Sequence, residues 1–168
     1  MTNYKSKQGE SQEKQGDLIR QLVCFRLTNE EYGLDIQKVH EINRLVTITK
    51  IPQAPDFVEG VINLRGKIIP IIDLRKRFGF EALKERDKEN RIIVIEAHGS
   101  TVGMIVDAVT EVLRLQQSQI DATPDLATAS VDVKYIDGVA MLDQRLLIVL
   151  NSDLIFSDEE IKKLESVN

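Results

Sequence analysis

The residues able to do covalent or metal chemistry are few in this sequence and stand far apart. His40 and His98 are the only histidines, and neither has a Cys, Asp or Glu set at the spacing a metal site needs. Cys24 is the only cysteine; it alternates with apolar residues and reads as a small buried side chain with no partner base. No serine stands in a strand–turn–helix elbow, and no glycine-rich loop is built to cradle phosphate. Asp73, Asp107 and Asp153 fall at turns or helix starts and form no carboxylate dyad. This inventory points to a protein that makes and breaks no bonds and needs no cofactor or metal. Arg75-Lys-Arg77 reads as the solvated end of a short helix, where positive charge complements the dipole. What remains is Asn63-Leu-Arg65-Gly66. A guanidinium on a tight turn can be an ordinary solvated residue, or it can bridge a partner's carboxylate while its stem covers apolar area.

The elements that must carry that turn come in two copies. Gly33-Leu-Asp-Ile-Gln-Lys-Val-His-Glu-Ile42 aligns with Gly103-Met-Ile-Val-Asp-Ala-Val-Thr-Glu-Val112 at an offset of 70 residues. Phe57-Val-Glu-Gly-Val-Ile-Asn-Leu-Arg-Gly-Lys-Ile-Ile-Pro-Ile-Ile72 aligns with Tyr135–Leu150 at an offset of 78. Self-similarity in fixed order marks a duplicated structural unit. Arg65 is not shared, because its counterpart is Asp143. Glu41 is shared with Glu111, so a structural role in both copies competes with a binding one. Val39, Ile42, Val109 and Val112 suit either a core or a groove lining.

Short β-rich runs separated by turn residues predict about ten strands. Hairpins are predicted around Thr28–Glu31, Arg65-Gly66 (a type II turn, with Gly at its second central position), His98–Ser100 and Asp143-Gln144. A strand is predicted over Ile42–Ile51 and a helical turn over Asp56–Glu59. Pro70 lacks an amide hydrogen, which predicts an edge strand or bulge. Asp73 and Asn151 cap short helices, and Ser157-Asp-Glu-Glu160 is a capping box opening a helix to about Val167. Glu81–Asn90 is a charged linker between copies. The fold class is therefore mainly β, with two small five-stranded antiparallel barrels leaving a groove between them.

Composition sets the remaining bounds. The chain has 168 residues and a net charge of −5, with 5% aromatic residues, which argues against a nucleic-acid partner. Residues 1–17 are polar and charged and predict a disordered tail. No apolar run approaches the ~20 residues of a membrane span, and a lone cysteine fits a reducing compartment; a cytoplasmic location follows. The domain reading is a tail over 1–17, a first barrel over about 18–80, a second over about 90–151 packed closely on it (18–156 in all), and a helix over 157–168.

The block Phe57–Leu74, preceded by Glu31-Tyr-Gly-Leu-Asp-Ile-Gln-Lys-Val-His-Glu-Ile42, closely resembles the CheW family of bacterial chemotaxis coupling proteins, from about Leu18 to the C-terminal helix. The resemblance implies two SH3-like barrels and a non-enzymatic adaptor. Its implied partners are the cytoplasmic tip of a methyl-accepting chemoreceptor and the regulatory domain of a CheA-type histidine kinase, in arrays reached through partners without membrane insertion. It places receptor contact in the inter-barrel groove at Ile36, Val39, Glu41, Ile42, Gly60, Arg65 and Val112. Kinase contacts are assigned to no residues. A paralogous adaptor in a motility or biofilm pathway would share every motif, and a small-ligand-binding barrel is the alternative from another class.

Overall fold

In the computed structural model, which describes residues 18–122 and 131–166, eleven strands form two sheets. The first repeat supplies β1 (Ile19–Leu27), β2 (Glu30–Asp35), β3 (Val39–Arg44), β4 (Val58–Leu64) and β5 (Lys67–Asp73). The second supplies β6 (Arg91–Ala97), β7 (Ser100–Val106), β8 (Ala108–Gln116), the short β9 (Ile120–Asp121), β10 (Ile136–Leu142) and β11 (Arg145–Leu150). Helices α1 (Leu74–Arg77), α2 (Ser152–Ile155) and α3 (Asp158–Glu165) are capped by Asp73, Asn151 and Ser157, as the sequence predicts. The expected tail over 1–17, part of the long segment before β10 and the end of the last helix lie outside the described residues. Among the described residues no helix is long and apolar enough to cross a membrane.

The sheets do not divide at the repeat boundary. One has the order β8-β1-β2-β11-β10-β9 and the other β3-β6-β7-β5-β4. The first hairpin of each repeat therefore sits in the sheet built mainly by the other repeat, and the contiguous division into 18–80 and 90–151 does not describe which strands pair. The exchange also corrects the all-antiparallel expectation, since β2–β11 and β5–β7 are parallel. Parallel neighbours cannot be joined by a tight turn, and here each such pair joins strands of different repeats.

The chain itself links the two ends of each sheet, without a continuous ladder between them. After β8, a 3-10 turn over Gln117–Gln119 leads to β9, which pairs with β10 at the far end of the same sheet. After β3, residue Thr49 reaches β4 through two backbone bonds with Val61 of 2.9 and 2.8 Å. The long strand expected over Ile42–Ile51 is thus β3 followed by a bend and a single bridge. Asp56-Phe57 is a turn closed by Val58 N–H on the Pro55 carbonyl at 3.0 Å, and Val58 and Glu59 already belong to β4, so the helical turn expected over Asp56–Glu59 does not form. Pro70 lies in an inner strand, not at an edge: it is paired with Val61 of β4, just before the parallel ladder to β7 begins at Ile71.

Inner strands are apolar on both faces. Ile92 and Val94 fill the interior of the β3–β7 sheet, while Ile93 and Ile95 join a core shared with the other sheet. Leu147 and Val149 on β11 face one interior, and Ile148 and Leu150 the shared core. Small closed sheets leave little room inside. A Cβ on Gly103 would stand 2.5 Å from Ile71 Cδ1 and 2.9 Å from Ile92 Cγ2. Its repeat partner Gly33 lies against Leu22 and Leu147.

Arg77, expected to be solvated, is largely buried. Its Nε donates to the Ile155 carbonyl at 3.0 Å and its Nη2 to Glu160 at 2.7 Å. Its guanidinium lies 4.8 Å from the Phe57 ring centroid and 5.3 Å from that of Phe156. The residue latches α3 to α1. Partial burial pushes the Glu160 carboxyl up, but the Ser157 N–H and Arg77 outweigh this and hold it below its ordinary value.

Two measurements follow. Gly103→Ala should lower unfolding free energy by about 1–3 kcal/mol in urea titrations, the usual cost of overpacking a filled interior. Because the folded pKa of Glu160 is depressed, its contribution is present above the unfolded value and lost as pH falls through the folded one. Arg77→Met should therefore flatten the loss of stability with acid, read from urea midpoints across the carboxylate range.

Candidate docking surface

Arg65 occupies the tip of the β4–β5 hairpin with φ 51°, followed by Gly66 at φ 83°. Two successive positive angles make a type I′ turn, not the type II turn expected, because only the primed turns match the twist of paired strands. Arginine is poorly suited to a left-handed conformation, where a side chain costs about 1–2 kcal/mol. The turn itself therefore gives no reason for arginine at this position.

The guanidinium is engaged but not enclosed. Its Nη1 and Nη2 donate to the two carboxylate oxygens of Glu41 on β3 at 2.5 and 3.2 Å. The Arg65 side chain is nevertheless 73% exposed. The pair spans the two ends of its sheet, above the Thr49–Val61 bridge. Hydrogen bonds from Arg65 and then Asn43 hold the Glu41 carboxyl below the usual carboxylate range. Two shallow hollows of about 290 and 770 Å³ lie beside the pair and share Glu41, Leu64 and Arg65.

β3 shows how the apolar candidates are arranged. It is an edge strand, and its pairing with β6 shifts register between Val39 and Glu41. Val39 stands opposite Ile95, Glu41 opposite Val94 and Ile42 opposite Ile93. Cross-strand partners share a face, so the bulge at His40 turns Val39 and Ile42 toward the shared core and Glu41 toward the sheet's own interior. Val39 packs on that core, whereas Ile42 lies at its margin, 38% exposed.

The second repeat reproduces this construction. β8 is also an edge strand, its register shifts opposite Cys24 and Phe25, and Val112 lies opposite Val23 with Glu111 opposite Cys24. Val112 is 50% exposed. Glu111 is also paired, through Nη2 of Arg145 at 2.5 Å, and Arg145 Nε lies 3.0 Å from Glu31. The contrast between Arg65 and Asp143 is therefore incomplete. The second hairpin supplies its arginine from the position aligned with Lys67. Sequence reasoning missed Arg145, although a Glu repeated in both copies was a signal to look for a cation near each.

Ile36 begins the 3-10 turn Ile36–Lys38 leading into β3 and is half-buried. Gly60 is buried and has a steric task. With φ 145°, a Cβ there would stand 2.1 Å from the Thr49 carbonyl oxygen, so only glycine lets the closing segment cross β4. Its counterpart Gly138 admits β9 at a less exclusive contact, with Asp121 O 3.0 Å from the ideal Cβ. The structure thus joins Glu41 with Arg65, places Ile42 and Val112 at equivalent margins, and puts Gly60 beneath the surface. Among the described residues no group of three or more His, Cys, Asp or Glu side chains could hold a metal ion. Burial, foremost, pushes the Cys24 thiol up to about 12, far from a reactive thiolate.

Comparison with known proteins gives one answer. The CheW-like domain family matches residues 21–160. The chemotaxis protein CheW of Klebsiella aerogenes is 38% identical over 148 residues, covering 88% of each chain. That of Treponema pallidum is 38% identical over 150 residues, again covering 88% of each. The crystal structure of the scaffolding protein TtCheW from Thermoanaerobacter tengcongensis superposes with a TM-score of 0.76 at 44% identity, covering 83% of this chain and 94% of that one.

The ion pair can be read directly in solution. The Glu41 carboxyl should titrate below its ordinary value in the wild type, and Arg65→Met should move it upward, followed by carboxyl carbon NMR. An unmoved midpoint would show that the Arg65–Glu41 contact is not populated.

Proposed function

The chain belongs to the CheW-like domain family, and on that premise we propose that it couples methyl-accepting chemoreceptors to a CheA-type histidine kinase. It is a non-enzymatic chemotaxis scaffold, and coupling is the specific form of scaffolding its surface supports. The observation that carries the reading is the Arg65–Glu41 pair, a charged clip left exposed at a turn whose backbone does not favour arginine. The turn backbone gives no reason for that residue, and its pairing with Glu41 leaves the guanidinium widely exposed, so its value lies in what it presents.

Receptor docking is assigned to the β3 edge. A chemoreceptor tip is helical, and a helix lying along an edge strand reaches both of its faces at once. It meets the apolar margin at Ile42 on one side and the Arg65–Glu41 clip on the other. Val112 extends the apolar margin from the second sheet. Val39 and Gly60 act from beneath, one by packing under the edge and the other by letting the sheet close. Ile36 acts by setting the entry of β3.

The mechanism is geometric. Two surfaces holding two partners raise their effective concentration and restrict their relative orientation. Kinase binding is assigned away from the β3 edge, so the two partners do not compete. Association with receptor arrays then follows from partner binding.

Arg65→Glu should weaken receptor binding by about 1–3 kcal/mol and leave kinase binding nearly intact, measured by pull-down with each partner alone. Equal loss of both partners would indicate misfolding, and full receptor binding would remove Arg65 from the surface. The exchanged double variant Glu41→Arg/Arg65→Glu separates two versions of the idea. Recovered binding means the clip matters for shape, whereas persistent loss means the guanidinium itself meets the receptor.

A further inference from the structure

The two places where the chain crosses between sheets within a repeat are secured very differently. From β7 to β8 it crosses through Asp107 alone. That residue gathers separate segments of the molecule. Its carboxylate accepts from Nε and Nη2 of Arg75 on α1 at 2.8 and 2.5 Å, and from the Thr28 N–H in the β1–β2 turn at 2.8 Å. Its own N–H donates to the Arg26 carbonyl at 3.1 Å, and its carbonyl accepts from Asn90 Nδ2 at 3.0 Å. Arg75 and Asp107 both lie largely out of solvent.

The equivalent crossover, from β2 to β3, runs through the turn Ile36–Lys38. Asp153 aligns with Arg75 at the offset of 78, and Gln37 aligns with Asp107 at the offset of 70. Arg20 holds Asp35 at the end of β2 at 3.3 Å, but from β1 of the same sheet; the pair joining the aligned segments is Lys38–Asp153, with cation and anion exchanged between the two sides. Its length is 3.8 Å and both side chains are more than a third exposed. A long solvated pair of this kind constrains little. A forked, desolvated pair is directional and shorter.

The apolar core between the sheets cannot supply that direction, because hydrophobic contact is non-directional. We propose that Asp107 is a positioning residue: with Arg75 it fixes how the two sheets are set relative to each other, and so where the docking margins at Ile42 and Val112 stand. This rests on the coupling function proposed above. A scaffold that works by orientation needs a fixed angle between its surfaces, and the β7–β8 crossover is where that angle is held. The β2–β3 crossover, which opens directly into the receptor-docking strand, is left free to adjust.

The test measures the angle and the coupling separately. Nitroxide labels are placed on Ile68→Cys and Met141→Cys, exposed positions on β5 and β10 in different sheets; Cys24 is buried and stays unlabelled. Pulsed dipolar spectroscopy on the full chain should give one narrow distance distribution. Asp107→Asn should broaden or displace it, whereas Lys38→Met should leave it unchanged. Arg75→Lys keeps the charge but loses the fork; it should give an intermediate distribution, and it serves as the test if Asp107→Asn does not fold. Unlabelled Asp107→Asn should bind the kinase alone as the wild type does and a receptor fragment, whose docking margins it displaces, several-fold more weakly, so the ternary mixture is assembled at saturating receptor. Its activation of the kinase in the ternary mixture should fall about fivefold, within the range by which interior changes alter coupling between sites. An unchanged distance, or equal changes in Asp107→Asn and Lys38→Met, overturns the clamp. Full activation despite a displaced distance overturns its link to coupling. A wild-type chain that activates nothing overturns the coupling function itself, whatever the distances show.

Discussion

Neither repeat contains the strands to complete its own sheet, and every other feature of the molecule depends on that exchange. β1 and β2 complete a sheet made by the second repeat, while β6 and β7 complete one made by the first. Two small barrels that merely touched would leave their relative placement to surface contacts. Here the chain path ties the two sheets together, so that separation would require unpairing strands on both sides, and the angle between them is left to the crossovers. The apolar core between the sheets then follows as a consequence. Strands with both faces covered carry runs such as Ile92-Ile-Val-Ile95, and one face of each run is spent on the seam.

Closure of each sheet follows the same economy. The strand before the gap continues across it; Gly60 lets the backbone pass at a distance no side chain would permit, and Gly138 leaves room for Ile120 and the Asp121 carbonyl at a tighter but less exclusive contact. An Arg–Glu pair then ties the second hairpin of each repeat to an edge strand, Arg65 with Glu41 and Arg145 with Glu111. The pairs are alike in plan and differ in detail. Arg65 sits at the turn itself, in a strained conformation and widely exposed, with one carboxylate partner. Arg145 lies past its turn and is shared between Glu31 and Glu111. A guanidinium divided between two carboxylates is less available to a third. This asymmetry physically favours the first repeat as the receptor surface, although both repeats carry the same construction.

Much of the fold was legible in particular residues. The strand runs, the capping residues Asp73, Asn151 and Ser157, and the fixed offsets of 70 and 78 residues led to a duplicated β architecture without coordinates. The errors share one origin. In sequence Arg77 reads as solvated because its immediate neighbours are charged, yet its ring and carboxylate partners come from distant segments. Asp107 reads as a turn residue because local spacing cannot show that Arg75, Thr28 and Asn90 converge on it. Gly60 carried the repeat signal correctly, but its place beneath Thr49 required the closing segment to be seen.

Residue types and their order are enough to say that this chain is built from two β-rich copies, lacks a set of residues suited to bond-making, and belongs with a family of adaptors. Those properties reside in residue type and order, which local periodicity and turn chemistry expose. The folded chain alone shows which strands share a sheet, that the arginine of each hairpin closes on the glutamate of an edge strand, and that one crossover is held by a forked pair while the other has a long solvated one. Pairing partners of inner strands such as β5, β6 and β11 are interchangeable by composition, since these strands are apolar on both faces, so their choice is settled by chain connectivity and close packing and not by any local preference.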